Sequence, residues 1–538
     1  MPWRTTTSLC GCIIMSGPFG STAWMANPAS GFYDFEISNS LRLDAPSDSF
    51  LENTNASSGA SSLKIGTLSC WFKYDVLDNE SYNKPLIWNG SDSTGISFSQ
   101  SDNAPHKLYV YWGGQNIESS GFFRDPSAWY HVVAQIDTNQ AVAANRLKFW
   151  VNGVAAAYSG SIDEDTTSNF FQNSVAQRIG EDRNNRHWGG YVTDINAIQG
   201  TAYDASYFGE FKNDIWIPKN PSVTYGAFGF RLQFKNSAVG TGSASTIGAD
   251  TSGNTNHFTS TNVNIYDQVP DSPTNNFGTL NPIAPDTTGA TNHSFSEGSL
   301  KVSTGSDSWW NAFGTIGISS GKYYWEYYAL GSGSVDQNIG VCTFDWYRGS
   351  NGGADSADAY SLYAQSAGVG ILYTDGATGV DKGSGYFWTW GNIMSVAFDA
   401  DTGKIWYAKN GTFLGSGDPA AGSNEAQTVT SGDLAKGMLP VFSGYHTGGT
   451  PLVNFGQDSS FAGATTAQGN ADGNGIGDFY YAPPSGFLAL CTSNMPDPVA
   501  TIDPNKGGSV QDYFNTVLYT GNDTSGRAIT GVGFQPDF

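Results

Sequence analysis

The sequence predicts an all-β protein made of two β-sandwiches joined by an irregular linker, and three observations carry that reading. One hairpin is written twice, as RLKFWVNGV at 146–154 and KIWYAKNGT at 404–412. Each copy runs an alternating apolar strand into Asn-Gly, the pair that tolerates positive φ at both centres of a type I′ turn. Gly contributes 67 of the 538 residues and aromatics 14%, against only 14% charged, the make-up of twisted sheets with tight turns. Long amphipathic helical patterns are absent. A chain of this length has room for about three or four domains of ~150 residues, each with its own core.

The elements follow in order. Residues 1–30 are expected to form an N-terminal arm, with one Arg and a short apolar run at 10–15 that is too broken by Gly and Cys for an export signal. Residues 31–221 read as the first sandwich, with strand-like alternation at 69–74, 108–112, 129–136 and 147–151. The run AWYHVVAQID at 128–137, the hairpin after it, and GGYVTDINA at 189–197 as a closing strand resemble, in order and spacing, a laminin-G-like domain. Residues 222–290 are rich in Gly, Ser, Thr, Asn and Pro and read as linker, 241–256 being nearly free of apolar side chains.

Residues 291–498 carry the second sandwich. GKYYWEY at 321–327, NIGV at 338–341, the strand at 393–399 with its hairpin, LPVF at 439–442 and VNFG at 453–456 resemble the strand series of a SPRY domain, with a long rim loop inserted at 347–360. Both resemblances imply concanavalin A-like or jelly-roll sandwiches. Residues 499–538 are expected to be a C-terminal arm or a truncated β-module, whose strand VQDYFNTVLYTG at 510–521 would pair with another sheet edge.

The string DQVPDSPTNNFGTLNP at 267–282 has three prolines among Asn and Asp, which force extended and turn conformations. Placed between a laminin-G-like and a SPRY-like block, it resembles the junction in structural proteins of tailed phages, marine ones especially. That resemblance implies a virion protein made in the host cytoplasm: a tail fibre, spike or head-surface appendage. Its partners would be other virion proteins and a host-surface glycan or receptor, and it would act as a homo-oligomer, a trimer among the options. An extracellular adhesin or carbohydrate-binding protein is the alternative, and a concanavalin-class glycosidase a further one.

Charge and cysteine content narrow the classes. Net charge is −23, so a nucleic-acid backbone or an anionic bilayer would be repelled. No stretch approaches the ~20 apolar residues of a membrane span. Cys10, Cys12, Cys70, Cys342 and Cys491 are odd in number and scattered, giving neither a disulfide framework nor a zinc pattern.

The sequence holds none of the usual catalytic patterns. No Glu-x-Asp-x-Glu run exists, which disfavours retaining glycoside hydrolysis, and the acidic clusters Asp163-Glu164-Asp165 and Glu181-Asp182 read as solvated loops. GISSG at 317–321 has the letters of a nucleophile elbow but precedes a strand, not a helix. The histidines are dispersed. The protein is therefore expected to be no enzyme and to need no cofactor. Calcium is the one ion to weigh: Asp472, Asn474 and Asp478 alternate like the start of a calcium loop but lack its bidentate Glu, and Glu181, Asp182, Asn184 and Asn185 offer rim oxygens.

Binding chemistry survives better. Sugars are held by aromatic faces with polar groups beside them. Arg186, His187 and Trp188 before the closing strand, Trp346, Tyr347 and Arg348 at the start of the insertion, and Tyr445 and His446 on a third rim segment have that mix. Trp71, Trp150, Trp325 and Trp406 are assigned to strands, mostly core.

Overall fold

A computed structural model describes residues 32–54, 63–75, 83–89, 93–99, 106–172, 175–212, 215–283, 293–305, 307–345 and 358–495. The arms at 1–30 and 499–538, and Trp346, Tyr347 and Arg348, lie outside the described residues. The fold is all-β, with two pairs of facing sheets.

In the first sandwich one eight-stranded sheet is centred on Ile65–Tyr74, flanked by Tyr130–Asp137 and Gly190–Gln199, and its edge carries the Leu147–Val151 hairpin. The second eight-stranded sheet runs through Gln115–Ser119, Lys107–Trp112, Gly95–Ser99, Asn83–Asn89, Ala176–Ile179 and Phe50–Thr54. Alternation sets the faces of Lys107–Trp112: Leu108, Val110 and Trp112 enter the core, while Tyr109 and Tyr111 remain partly exposed on the other face. Ile65–Tyr74 is buried along almost its whole length, because a second apolar layer of Trp129, Phe208, Trp216 and Tyr225 covers its outer side.

Both Asn-Gly turns are as expected. Asn152 and Gly153 have φ of 47° and 74°, Asn410 and Gly411 of 49° and 77°, and the flanking residues pair as Val151 with Val154 and Lys409 with Thr412.

The stretch read as linker is a correction. Phe230–Leu232 pairs with Gly190–Gln199, Thr259–Thr261 with Phe50–Thr54, and Gln268–Val269 with Ser40–Leu43. Phe230, Leu232, Phe234, Ile247, Phe258 and Val263 join the first core. Polar side chains supply the partners a ladder would: Asp250 accepts the N–H groups of Arg231, Ser252 and Asn256 at 2.8–2.9 Å, and Asn254 Nδ2 donates to Gly229 O at 2.9 Å.

The second sandwich sets a nine-stranded sheet through Leu452–Asn454, Lys322–Tyr328, Ile393–Asp399 and Lys404–Lys409 against a six-stranded sheet through Trp310–Phe313, Met438–Gly444, Gln337–Thr343, Ala359–Gln365 and Val369–Thr374. Trp325, Ile339, Leu362, Val396 and Phe442 lie in its core. After GISSG the chain enters the strand Lys322–Tyr328, not a helix. Residues 456–491 fold over the outer side of the larger sheet, where Phe479, Phe487, Ala489 and Cys491 pack on Tyr324, Ala397 and Trp406.

The string 267–282 is wedged between the sandwiches and bonded to both. Lys73 Nζ of the first, fully buried, donates to Asp271 Oδ2 and Asn276 Oδ1 at 2.8 Å and to Phe277 O at 3.1 Å. On the other side Asn276 exchanges bonds with Thr492, through its N–H to Oγ1 at 2.9 Å and its carbonyl to the Thr492 N–H at 2.9 Å. Arg42 closes the junction: its buried guanidinium lies 3.2 Å from Asp267, 3.1 Å from Asp458 and 3.7 Å from Glu297. Burial pushes the Glu297 carboxyl up to about 7 despite that guanidinium.

Candidate functional site

The structure separates the expected site residues. Trp188 is fully buried and meets the rings of Phe72 and Phe98 edge-on at 5.8 and 6.1 Å. It is a core residue, a correction to its reading as a stacking face: the strand it leads into is buried on both sides, so the indole turns inward. His187 is also largely buried, with Nε2 3.3 Å from Asp48 and 3.9 Å from Glu181, and burial holds its imidazole below the usual histidine range.

Arg186, by contrast, reaches a groove on the open face of the second sheet. This groove, of about 230 Å³, is lined by Pro85, Trp88, Ser93, Ser97, Tyr111, Asp182, Arg183, Asn184 and Arg186. The strands supply its aromatic wall, where Trp88 and Tyr111 meet edge-on at 5.0 Å and Tyr109 stacks on Tyr111 at 6.1 Å. The loop 182–186 supplies its polar wall. That loop is held by Asp182, whose Oδ1 accepts the N–H groups of Asn184 at 2.7 Å and Arg186 at 3.1 Å. Sequence reading missed Trp88, Tyr111 and Ser97. The available signal was the period-2 alternation of 107–112, which marks Tyr109 and Tyr111 as outward-facing.

A second cluster stands at the rim of the other sandwich, where Tyr445 and His446 are found together. Tyr445 meets Trp309 edge-on at 5.6 Å, and His446 Nε2 lies 2.7 Å from Asp336 Oδ2. Asp336 also accepts from Tyr363 Oη and, at 3.1 Å, from the Ser366 N–H. Burial works to raise this carboxyl, but those hydrogen bonds prevail and hold it below the usual carboxylate range.

Of the residues weighed for calcium, Asp472 is engaged with donors through both oxygens and Asp478 through one. Asp472 Oδ1 accepts the N–H groups of Asn474 and Ile476 at 2.8 and 3.0 Å, and its Oδ2 those of Ala489 N at 2.9 Å and Asn494 Nδ2 at 2.7 Å. Asp478 Oδ2 accepts from the Ser459 N–H at 3.2 Å, and Asn474 Nδ2 donates to Asn494. This is an Asx turn pinning the cover of the second sandwich. Asp358, Asp375 and Asp433 converge elsewhere, with Lys436 Nζ 2.6 Å from Asp358 and 2.9 Å from Asp433 supplying the cation.

No family model matches the chain, and no curated protein matches it. Among solved structures, the SPRY domain of human HERC1 is 18% identical over 29% of this chain and 87% of that chain, with a TM-score of 0.23. The TRIM65 PSpry domain is 15% identical over 33% of this chain and 91% of its own, with a TM-score of 0.25.

Proposed function

We propose that this chain is a non-enzymatic structural protein of a tailed-phage virion, a tail fibre, spike or head-surface appendage, whose first sandwich holds a host-surface glycan. The observation that carries the binding half is the groove walled by Trp88 and Tyr111 on one side and by Arg183, Asn184 and Arg186 on the other. Flat apolar rings beside fork-shaped and amide donors are what a pyranose needs, with its apolar ring face and its rim of hydroxyls. Among the described lining residues the one carboxylate is Asp182, and it is occupied in holding its own loop. That supports binding over hydrolysis, which takes a pair.

The virion half rests on the resemblance of the 267–282 string. Its burial between two sandwiches supports a role as a rigid spacer, since both flanking domains are bonded to it. Mass spectrometry and antibody labelling of purified particles test this half, and absence of the chain from particles would refute it. For the binding half, Tyr111→Ala is expected to weaken adsorption of the protein to host cells about tenfold while Trp188→Phe lowers only stability. The opposite pattern would reject the groove.

A further inference from the structure

We propose that this chain closes an internal amide cross-link, in which the side-chain nitrogen of Lys73 is bonded to the side-chain carbonyl carbon of Asn276 and ammonia is expelled. The site is the buried contact between the first sandwich and the 267–282 string. Lysine is rarely buried in full, yet Lys73 is 1% exposed, and Asp271, Asn276 and Phe277 around it are 0–2% exposed. Its Nζ lies 2.8 Å from Asn276 Oδ1 and 2.8 Å from Asp271 Oδ2. An amine, a carboxamide and a carboxylate are thus in contact, which is a nucleophile, an electrophile and a base. The carbonyl carbon lies about 1.2 Å beyond the oxygen that Nζ already touches, so a slight swing of the lysine tip brings nitrogen to carbon. The partners are held for it. Asn276 Nδ2 donates to Ser127 O at 2.7 Å, Trp129 Nε1 donates to Asp271 Oδ1 at 3.0 Å, and Nζ stands 5.4 Å from the centre of the Tyr191 ring. Groups fixed in this way react as parts of one molecule, without the entropy cost of an encounter.

The step balances without any further reactant. Asp271 Oδ2 takes one proton from the Lys73 ammonium, which leaves both groups neutral, the form that a site without water penalises least. The freed lone pair attacks Asn276 Cγ, and the Cγ–Nδ2 bond breaks. A second Nζ proton and the one held by Asp271 pass to the departing nitrogen, which leaves as ammonium, and Asp271 is a carboxylate again. Asn276 is the electrophile because a neutral carboxamide accepts a lone pair that a carboxylate repels. Burial keeps water from competing with the amine. The new bond joins residues 203 apart in sequence and ties the string to Ile65–Tyr74, the central strand of the first sandwich. The junction is then covalent on that side and hydrogen-bonded, through Thr492, on the other.

Mass spectrometry of the purified full chain tests this. The intact mass should fall about 17 Da below that of the sequence, the mass of one ammonia. Tryptic mapping should yield a branched peptide that holds both Lys73 and Asn276 and is uncut after Lys73. Lys73→Arg keeps the positive charge without the amine and Asp271→Ala removes the base, so both should show the full mass, with melting followed alongside to confirm folding. A wild-type chain of full mass would overturn the proposal whatever the variants do. The same loss with trypsin cutting after Lys73 would mean that an asparagine has closed on its own backbone, which also overturns it. A loss of about 18 Da, one water, with Lys73 joined to Asp271 would overturn the choice of electrophile. A cross-link that persists in Asp271→Ala would overturn the choice of base.

Discussion

In the first sandwich the His131 N–H donates to Asn152 Oδ1 at 2.7 Å and the Asn152 N–H returns to His131 O at 2.8 Å; in the second, Ile393 and Asn410 make the same exchange at 2.9 and 2.8 Å. What lies over these matched hairpins differs. In the first, Trp216 packs against Gly153, and its Nε1 donates at 3.0 Å to His131 Nδ1, while Trp71 stacks on the same imidazole at 4.5 Å. An indole can only donate, so Nδ1 carries no proton, and the neutral ring offers its Nε2–H to Ser69 Oγ at 2.9 Å. In the second, Tyr481 packs against Gly411, and the N–H groups of Tyr480 and Tyr481 bind the buried Glu326 carboxyl at 2.8 and 2.7 Å. The turn is a local device that two domains share, whereas the cover is tertiary and each domain has built its own.

The two sandwiches share one hairpin plan, yet the junction binds them into one unit, and Arg42 is where that is most easily broken. Arg42→Ala leaves Asp267, Glu297 and Asp458 close together in a buried site with no guanidinium between them. Removing one partner of a buried ion cluster costs about 3–5 kcal/mol. The wild-type chain should melt in one transition and the variant in two, resolved by calorimetry. A single undiminished transition in the variant would mean that Arg42 does not couple the domains.

The covers should also give the two sandwiches opposite responses to acid. Burial depresses His131 to about 3, so the native state takes up no proton while the unfolded chain does, and its contribution is lost as pH falls below 6.5. Burial raises Glu326 to about 7, beyond what its hydrogen bonds from Tyr481, Tyr480, Tyr324 and Asn454 offset. The native state then holds the proton more tightly, and its contribution grows as pH falls from 7 towards 4.5. From pH 6.5 to 5 each group is worth about 2 kcal/mol, at about 1.4 kcal/mol per pH unit. Relative to wild type, His131→Phe should gain about that much on acidification and Glu326→Gln should lose it. Denaturant melts across this range decide it, and parallel profiles for both variants would dissolve the contrast.

How much of this was legible in the sequence follows from how local each signal is. The turns were legible because Asn-Gly acts within four residues, and the core strands because alternation does. The packing of 222–283 was not, since Phe230, Ile247 and Phe258 are spaced too widely for any period and their partners lie on distant strands. The groove was half legible. Arg186 sits on a polar loop that reads as a rim, but Trp88 and Tyr111 meet it only because Asn83–Asn89 and Lys107–Trp112 lie on either side of Gly95–Ser99. Trp188 misled because its neighbours are polar while its own side chain faces the core.

A smaller effect sharpens the contrast between covers. Gly153 and Gly411 share nearly the same φ, so alanine at either adds similar left-handed strain, about 1 kcal/mol. A Cβ at 153 would lie 2.2 Å from the Trp216 ring, which is largely buried and hydrogen-bonded, and one at 411 would lie 2.7 Å from Tyr481, which is partly exposed and can move aside. Gly153→Ala should therefore cost about 1–3 kcal/mol more than Gly411→Ala, the usual penalty for overpacking. Equal losses in denaturant melts would show that the covers yield alike.

The smallest expected effect tests the shared device itself. Asn152→Gly and Asn410→Gly keep a residue that adopts positive φ freely, so the turn type survives. Each change removes the Oδ1 that accepts an N–H from the neighbouring strand, His131 in one case and Ile393 in the other. The donors differ in surroundings but not in geometry, and losing one such bond at the edge of a sheet costs about 0.5–1.5 kcal/mol. The two variants should therefore lose the same amount within error, even though the glycine that follows each asparagine responds unequally. Unequal losses would mean that the asparagine is tuned to its cover, and the hairpins would then be alike in shape without being alike in energy.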